Sequence, residues 1–350
     1  MTDPNIELEF SKFQTIAEKN YKIAKKKYEA IEATLQKFER QVKIASSSQN
    51  RGQPAQNMQT SALVSRQNAE IKALRKNVAS IRANVDALYV TSKDFSIIIY
   101  GRKMSGKSTL MEILTHGDGA TIGKGAQRTI SDLRTYYWSG LKITDVSGFD
   151  FSNGGANDKI GINAIKTADL ILFLVTNDAL NEEEAEIFAH LKNYGKPILA
   201  VVNVRKILNF KRRDLIAQDL QKILSNSKEI ETAIANFKNF AQNYNQDWSD
   251  IQFVTTHLLA AFYARMDKIN DEEIDQASNF VEVENIILEK IITDGEFLHT
   301  KNFMDSVAIP LNKIFTKLFR HSGNSFKESK IWLEKSEKFA AELKKFKESS

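Results

Sequence analysis

Residues 101–108 constrain the fold of this chain more than any other stretch. They read Gly-Arg-Lys-Met-Ser-Gly-Lys-Ser, match the pattern G-x-x-x-x-G-K-[ST], and follow the apolar run 95–100 (FSIIIY). Glycines let successive backbone N–H groups turn toward phosphate oxygens, and a helix that follows adds the positive end of its dipole. We therefore predict a buried strand, a phosphate-binding loop (P-loop) and a helix beginning near Lys107.

The side chains of this loop have distinct expected roles. Lys107 reaches the β- and γ-phosphates of a nucleotide, which also makes it a candidate catalytic residue, and the Ser108 hydroxyl binds Mg²⁺. The residues expected to contact the nucleotide here are Gly101, Met104, Ser105, Gly106, Lys107, Ser108 and Thr109. Arg102 or Lys103 is a candidate positive finger on the leaving phosphate.

A second motif, D-x-x-G, follows the P-loop at a spacing of about forty residues. Asp145 ends an apolar strand and is a candidate Mg²⁺ ligand, while the Gly148 N–H is placed to sense the γ-phosphate. Residues 117–131 between the motifs are rich in glycine. Thr129 in this loop is a candidate Mg²⁺ ligand and catalytic residue of a first switch, although an ordinary surface loop remains an alternative.

The middle of the chain has the pattern of a doubly wound α/β domain. Residues 134–138 and 141–144 predict a hairpin of strands, and 251–255 a last strand. Continuous apolar runs of strand length at 170–175 and 198–202 are typical of a parallel sheet that is covered on both faces. Helical stretches, such as 183–192, separate the strands.

The run GRKMSGKSTLMEILTHGDGATIGKGAQRTISD, followed by YYWSGLKITDVSGFD, resembles Era/dynamin-like P-loop GTPases. Within that group it is most similar to bacterial dynamin-like proteins of the LeoA type. The resemblance covers roughly residues 95–202. It implies a GTP hydrolase with GTP or GDP and Mg²⁺ as cofactors, and self-association or pairing with a related dynamin-like partner.

Several positions depart from the family pattern. Ile130 stands where relatives carry a second threonine, so Thr129 would have to bind the metal. Asn203 fits the start of the guanine-reading motif N/T-K-x-D, but Lys206 occupies the position of its Asp. ATP is therefore a second candidate ligand. Phe149 and Met104 replace the polar residues that organise water or a monovalent cation in other GTPases, which favours slow hydrolysis.

The N-terminal residues predict two helices with apolar seams. One seam runs from Phe13 to Val42 and the other from Ile71 to Leu88, in steps of three and four. The polar stretch 46–61 between them is predicted to be a loop. An antiparallel hairpin in which each helix covers the other is the simplest arrangement, and a coiled-coil dimer is the alternative.

The C-terminal residues are also predicted to be helical, with an apolar face at 311–319 and a last seam through Trp332, Phe339, Leu343 and Phe346. The predicted domains are a helical arm at 1–92, a P-loop GTPase domain at 93–280 and a second helical arm at 281–350. Both arms are expected to form one helical bundle or stalk.

Charge is unevenly distributed along the chain. Residues 1–92 contain 15 Lys and Arg against 9 Asp and Glu, and residues 301–350 contain 11 against 6, whereas the net charge of the whole is +5. Basic ends suit peripheral contact with an anionic membrane, or are simply solvated helix faces. No motif with interleaved aromatic residues indicates a nucleic-acid partner.

The start of the sequence shows no signal peptide, and the chain has no cysteine, so a reducing cytoplasmic location is expected. The leading expectation is a GTPase switch whose nucleotide state changes how its arms meet a partner, another copy or a membrane. The alternatives are a non-catalytic nucleotide-binding scaffold and an ATP-using one.

Overall fold

The computed structural model describes residues 4–48, 54–117, 134–138, 141–146, 156–225, 227–266 and 269–321. Thr129, Ile130, Gly148 and Phe149 lie outside these residues, as does the predicted last seam within 332–346. The corresponding expectations therefore remain predictions.

The described part of segment 94–298 is an α/β unit built on a six-stranded sheet. The strands are β1 (Ser96–Tyr100), β2 (Arg134–Trp138), β3 (Leu141–Asp145), β4 (Leu170–Thr176), β5 (Ile198–Asn203) and β6 (Gln252–Thr256). They lie in the order β2-β3-β1-β4-β5-β6, with β2 antiparallel to β3 and the other pairs parallel. The predicted hairpin and apolar strands are therefore confirmed to within two residues.

Helices alternate with these strands. They are α3 (Lys107–Leu114), α4 (Ala156–Thr167), α5 (Glu182–Lys192), α6 (Arg213–Ser225), α7 (Ser227–Asn239), α8 (Leu258–Arg265) and α9 (Glu272–Ala277), and a 3₁₀ turn at Phe240–Tyr244. One core joins Phe173 of β4 to Phe188 of α5 and Phe237 of α7. A separate group of packed helices contains α3, α6, α8 and α9.

Both faces of the sheet are buried. Ile98 belongs to the core shared with α5 and α7, whereas its neighbours Ile97 and Ile99 point to the opposite face and are equally inaccessible. A strand buried on both sides is what a doubly wound sheet requires, which explains why β1, β4 and β5 read as unbroken apolar runs.

The N-terminal residues form an antiparallel hairpin of α1 (Pro4–Ser48) and α2 (Pro54–Thr91). The Arg75 guanidinium lies 2.5 Å from Glu39, and the Tyr21 hydroxyl donates a hydrogen bond to Asp86 at 2.9 Å. Residue 75 of α2 contacts residue 39 of α1, and the later residue 86 contacts the earlier residue 21, so the two helices are antiparallel. Their shared core contains Ala24, Tyr28, Ile31, Leu35, Val78, Ile81, Val85 and Leu88.

A long C-terminal helix, α10 (Phe280–His321), adds a third side to this core through Phe303. The His299 Nε2 is 2.9 Å from the Ser92 carbonyl oxygen, and the Asn20 amide donates to the Thr300 hydroxyl at 3.4 Å. Segment 13–93 and the described residues from His299 onward therefore form one helical unit. The predicted bundle of N- and C-terminal arms is confirmed in the described residues.

The prediction of a loop over 46–61 was wrong for most of its length, because α1 continues to Ser48 and α2 already begins at Pro54. Proline is favourable at the first position of a helix, where its missing N–H and fixed φ carry no penalty. The Ala, Gln and Met residues that follow are good helix formers, so polarity alone misled the sequence interpretation. None of the described helices is long and apolar enough to cross a bilayer.

Candidate nucleotide site

The P-loop connects β1 to α3 and needs glycine at two positions. A Cβ on Gly101 would lie 2.3 Å from the Leu174 carbonyl oxygen. A Cβ on Gly106 would lie 2.6 Å from the Asn203 amide nitrogen, and Gly106 has a φ of 108° that side-chain-bearing residues rarely adopt. Both glycines of the motif are therefore required by close packing against β4 and β5.

Lys107 is buried at the first position of α3, with 6% of its surface exposed. Its ammonium donates hydrogen bonds to the carbonyl oxygens of Gly101 at 2.6 Å and Arg102 at 2.5 Å. Burial lowers the pKa of this ammonium, and the negative charges of Asp145 and Glu184 act in the opposite direction. A cation is thus held inside the loop, at the head of a helix, as a phosphate site requires.

Four further residues of the loop and of the first turn of α3 differ in accessibility. The Ser105 hydroxyl oxygen is buried and has no hydrogen-bond partner among the described residues. Met104 has a left-handed backbone with a φ of 68° and a side chain that is 73% exposed. Ser108 is exposed and Thr109 half-buried in the first turn of α3. Nothing in this geometry conflicts with contacts between these residues and a nucleotide.

Asp145 is the last residue of β3 and pairs in register with Ile99 of β1, next to the P-loop. Its charge acts on Lys107, which shows that the two predicted motifs meet at the same edge of the sheet. A carboxylate and a serine hydroxyl both offer the oxygen ligands that Mg²⁺ takes when it also binds phosphates. Ser108 and Asp145 therefore fit the metal, while Thr129 and Gly148 lie outside the described residues.

Asn203 ties the P-loop to the far side of the site. Its amide nitrogen donates to the Ser105 carbonyl oxygen at 3.0 Å, and its side-chain oxygen accepts from the Leu258 N–H at 3.3 Å. Both ends of the side chain are therefore engaged by protein backbone. In this structure Asn203 supports the loop, and a direct contact with the base remains a prediction.

The loop after β5 carries Lys206 at the position where a guanine reader needs a carboxylate. The His257 Nδ1 accepts from the Ala260 N–H at 3.2 Å, so its Nε2 carries the proton and donates to the Lys206 carbonyl oxygen at 2.8 Å. Burial lowers the pKa of His257, in keeping with this neutral ring. The next residue, Ile207, is fully exposed, and residues 204–209 contain no acidic side chain.

Sequence reasoning missed Glu184, which joins α5 to the P-loop. The Arg102 guanidinium lies 2.9 Å from the buried Glu184 and 2.5 Å from the exposed Glu183, so Arg102 is engaged by α5. Burial raises the pKa of Glu184 to about 7, although Arg102 and Lys107 oppose this rise. A run of three glutamates directly after Asn181 was the available signal, since it places carboxylates at the end of a buried strand.

Comparison with known proteins assigns the domain. Residues 96–204 match the sequence model of a family described as 50S ribosome-binding GTPase, which is under a third of the 350 residues. No curated protein matches the chain. Together with the P-loop geometry, the match shows that this part of the chain is a GTPase domain of the P-loop type.

Several solved structures are similar in part. A probable GTP-binding protein engB is 20% identical, with a TM-score of 0.35 over 55% of this chain and 97% of that one. An Aquifex aeolicus Era bound to GDP·AlF4⁻ is 16% identical, with a TM-score of 0.34 over 55% of this chain and 56% of Era. A protein of an oligomerised bacterial dynamin pair is 13% identical, with a TM-score of 0.40 over 79% of this chain and 60% of that one.

Proposed function

We propose that this protein is a dynamin-like GTPase switch that binds GTP with Mg²⁺, hydrolyses it slowly and couples its nucleotide state to the helical arms. One observation carries the nucleotide part of the proposal. The buried Lys107 ammonium, held by the carbonyl oxygens of Gly101 and Arg102, is the cation that a triphosphate would recruit. A desolvated positive charge at a helix N-terminus favours a polyanion strongly.

The proposed roles follow from the chemistry of phosphoryl transfer. Lys107 would bind the β- and γ-phosphates, and Ser108, Asp145 and Thr129 would hold Mg²⁺. Gly148 would sense the γ-phosphate through its backbone N–H. Slow turnover is proposed because Phe149 occupies the position of a water-orienting Gln, so that positioning of the attacking water would depend on other groups.

The coupling to the arms is proposed from the helical unit and from the resemblance to bacterial dynamin-like proteins. Segment 13–93 and α10 share one core, so a displacement of α10 would be transmitted to the hairpin. The basic ends of the chain would suit a second copy, a related dynamin-like partner or an anionic membrane surface. The proposed location is the cytoplasm, with peripheral contact with a membrane where the partner is a membrane surface.

One experiment tests this function in two stages. Calorimetric titrations with GTP, GDP and non-hydrolysable GTP and ATP analogues in the presence of Mg²⁺ test binding. Phosphate-release assays with and without anionic liposomes test turnover and its stimulation. Absence of binding for all four ligands would refute the proposal, whereas nucleotide binding combined with slow, liposome-stimulated release would support it.

A second candidate function is a nucleotide-binding scaffold that does not hydrolyse, or that uses ATP. The observation that favours it is Lys206, which puts a hydrogen-bond donor where a guanine reader needs an acceptor. Binding without measurable phosphate release under any condition would favour a scaffold, and equal binding of GTP and ATP analogues would favour broad nucleotide use.

A further inference from the structure

Glu184 is a buried carboxyl group that the proposed nucleotide chemistry does not use. Its side chain is 1% exposed in the first turn of α5, a helix capped by the Asn181 side chain. One carboxylate oxygen, Oε1, forms an ion pair with the Arg102 Nε at 2.9 Å, whereas Oε2 has no hydrogen-bond partner among the described residues. A buried polar atom rarely lacks a hydrogen-bond partner, and leaving a charged oxygen without one is unfavourable. Oε2 is therefore the oxygen at which a proton would bind.

The charges around Glu184 come from three places. The P-loop and α3 contribute Arg102 and Lys107, both attractive, and the neighbouring Glu183 on α5 is repulsive. Asp145 of β3 acts on Lys107. In the turn after α7, Tyr244 interacts with Glu182 and Glu186 and not with Glu184. Burial is the largest influence on this carboxyl group, and the two cations of the phosphate site are the charges that oppose it.

We propose that Glu184 takes up a proton from solvent when the phosphates of a nucleotide bind to the P-loop, so that the site senses pH. The inference rests on the proposed function, since it requires phosphates at residues 101–108. Phosphates bring several negative charges to the cations that now stabilise the Glu184 carboxylate. Each new negative charge disfavours the ionised carboxyl group, as like charges do elsewhere in proteins.

The Glu184 carboxyl group can change its protonation state near neutral pH. Burial raises the pKa of Glu184 to about 7, so both protonation states are populated near neutrality in the free protein. A ligand that raises this pKa further binds with proton uptake, and its affinity falls as the pH rises. If the bound phosphates raise the pKa of Glu184 further by about one to two, the affinity for the nucleotide falls about fivefold to tenfold between pH 6 and pH 8.

The test compares three full-length proteins: the wild type, Glu184→Gln and Glu183→Gln. The affinity of a non-hydrolysable GTP analogue with Mg²⁺ is measured by calorimetry at pH 6, 7 and 8. The titration of the nucleotide itself is common to all three and cancels in the comparison. We expect the wild type to lose about fivefold more affinity over this range than Glu184→Gln. Glu183→Gln, which alters the exposed partner of Arg102, should follow the wild type.

A second measurement needs no nucleotide. Because its folded pKa is raised from 4.5 to about 7, Glu184 contributes stability below pH 4.5 that is lost as the pH rises through 7. The urea midpoint of the wild type should therefore fall across this range more steeply than that of Glu184→Gln.

The outcomes separate the two proposals. Equal pH slopes for the wild type and Glu184→Gln would overturn the role of Glu184 while leaving nucleotide binding intact. A slope lost equally in Glu183→Gln would assign the effect to Arg102 instead and overturn it too. Absence of nucleotide binding at every pH would refute the proposed function, and this inference with it. If Glu184→Gln does not fold, calorimetry of the wild type at pH 8 in two buffers of different ionisation enthalpy counts the protons taken up with the nucleotide, and a count of zero overturns the inference.

Discussion

The two ends of the nucleotide site differ in how well they match the chemistry of GTPases. At the phosphate end, Gly101, Gly106 and Lys107 are tightly packed and the buried cation is in place. At the base end, Asn203 is engaged by backbone groups, and Lys206 stands in a loop that contains no acidic residue.

This difference teaches that phosphate affinity and base selectivity are separable properties of one fold. Phosphate binding depends on backbone N–H groups, a helix terminus and a cation, which are built into the turn between β1 and α3. Base selectivity depends on one acceptor side chain in a loop, which a single substitution can reverse. In this chain the phosphate end fits that chemistry, whereas the loop at the base end has no acidic acceptor.

The largest effect is expected at the phosphate end. Lys107→Ala should weaken binding of a GTP analogue by at least about a hundredfold, because a charge-assisted contact with two phosphates is lost. Calorimetry on the folded variant measures the change. Lys166→Ala, which removes an exposed lysine in the last turn of α4, is the control and should change affinity little. Unchanged affinity in a folded Lys107→Ala protein would contradict the assignment of the P-loop.

The second effect is expected at the base end. Wild-type affinities for GTP and ATP analogues should lie within about 1–3 kcal/mol, the scale of the missing hydrogen bonds. Lys206→Asp restores an acceptor for the guanine N1 and N2 groups and should raise the GTP:ATP affinity ratio by about tenfold to a hundredfold. Lys206→Ala removes the charge without supplying an acceptor and should not produce this preference. A wild-type preference for GTP of several orders of magnitude would show that another residue reads the base.

A smaller effect is expected for the metal. Ser108→Ala should reduce affinity by about tenfold in Mg²⁺, because one of the oxygen ligands of the ion is removed. In EDTA the wild type and the variant should bind equally. An equal loss under both conditions would mean that the hydroxyl acts on the phosphates rather than on the metal.

The smallest effect concerns the backbone of the phosphate end. Met104 has a φ of 68°, which is unfavourable for a residue with a side chain, and its own side chain is mostly exposed. Met104→Gly should therefore stabilise the free protein by about 0.5–1 kcal/mol in urea unfolding. Met104→Ala keeps the unfavourable φ and should give no gain. A loss of stability in Met104→Gly would show that the methionine side chain makes a contribution larger than the backbone penalty.

The features that the sequence predicted correctly are local ones. The P-loop, the apolar strands and the seams of the arms each depend on residues close together in the chain. Their patterns can therefore be recognised without knowledge of the fold. Glu184 was missed because its partner Arg102 is 82 residues away, and only the packing of α5 beside the P-loop brings them together. The start of α2 was missed because polar composition was given more weight than the proline at its first turn.

The hydrogen bond between His299 and Ser92 closes a helical unit from residues that lie 207 positions apart. During synthesis at about 5–20 residues per second, the ribosome needs roughly 10–40 s to pass from one to the other. Throughout that interval the finished α1–α2 hairpin lacks Phe303, and the α/β domain is completed first. Until Phe303 is made, the core between α1 and α2 lacks one of its buried side chains, so the nascent hairpin exposes apolar surface that favours aggregation.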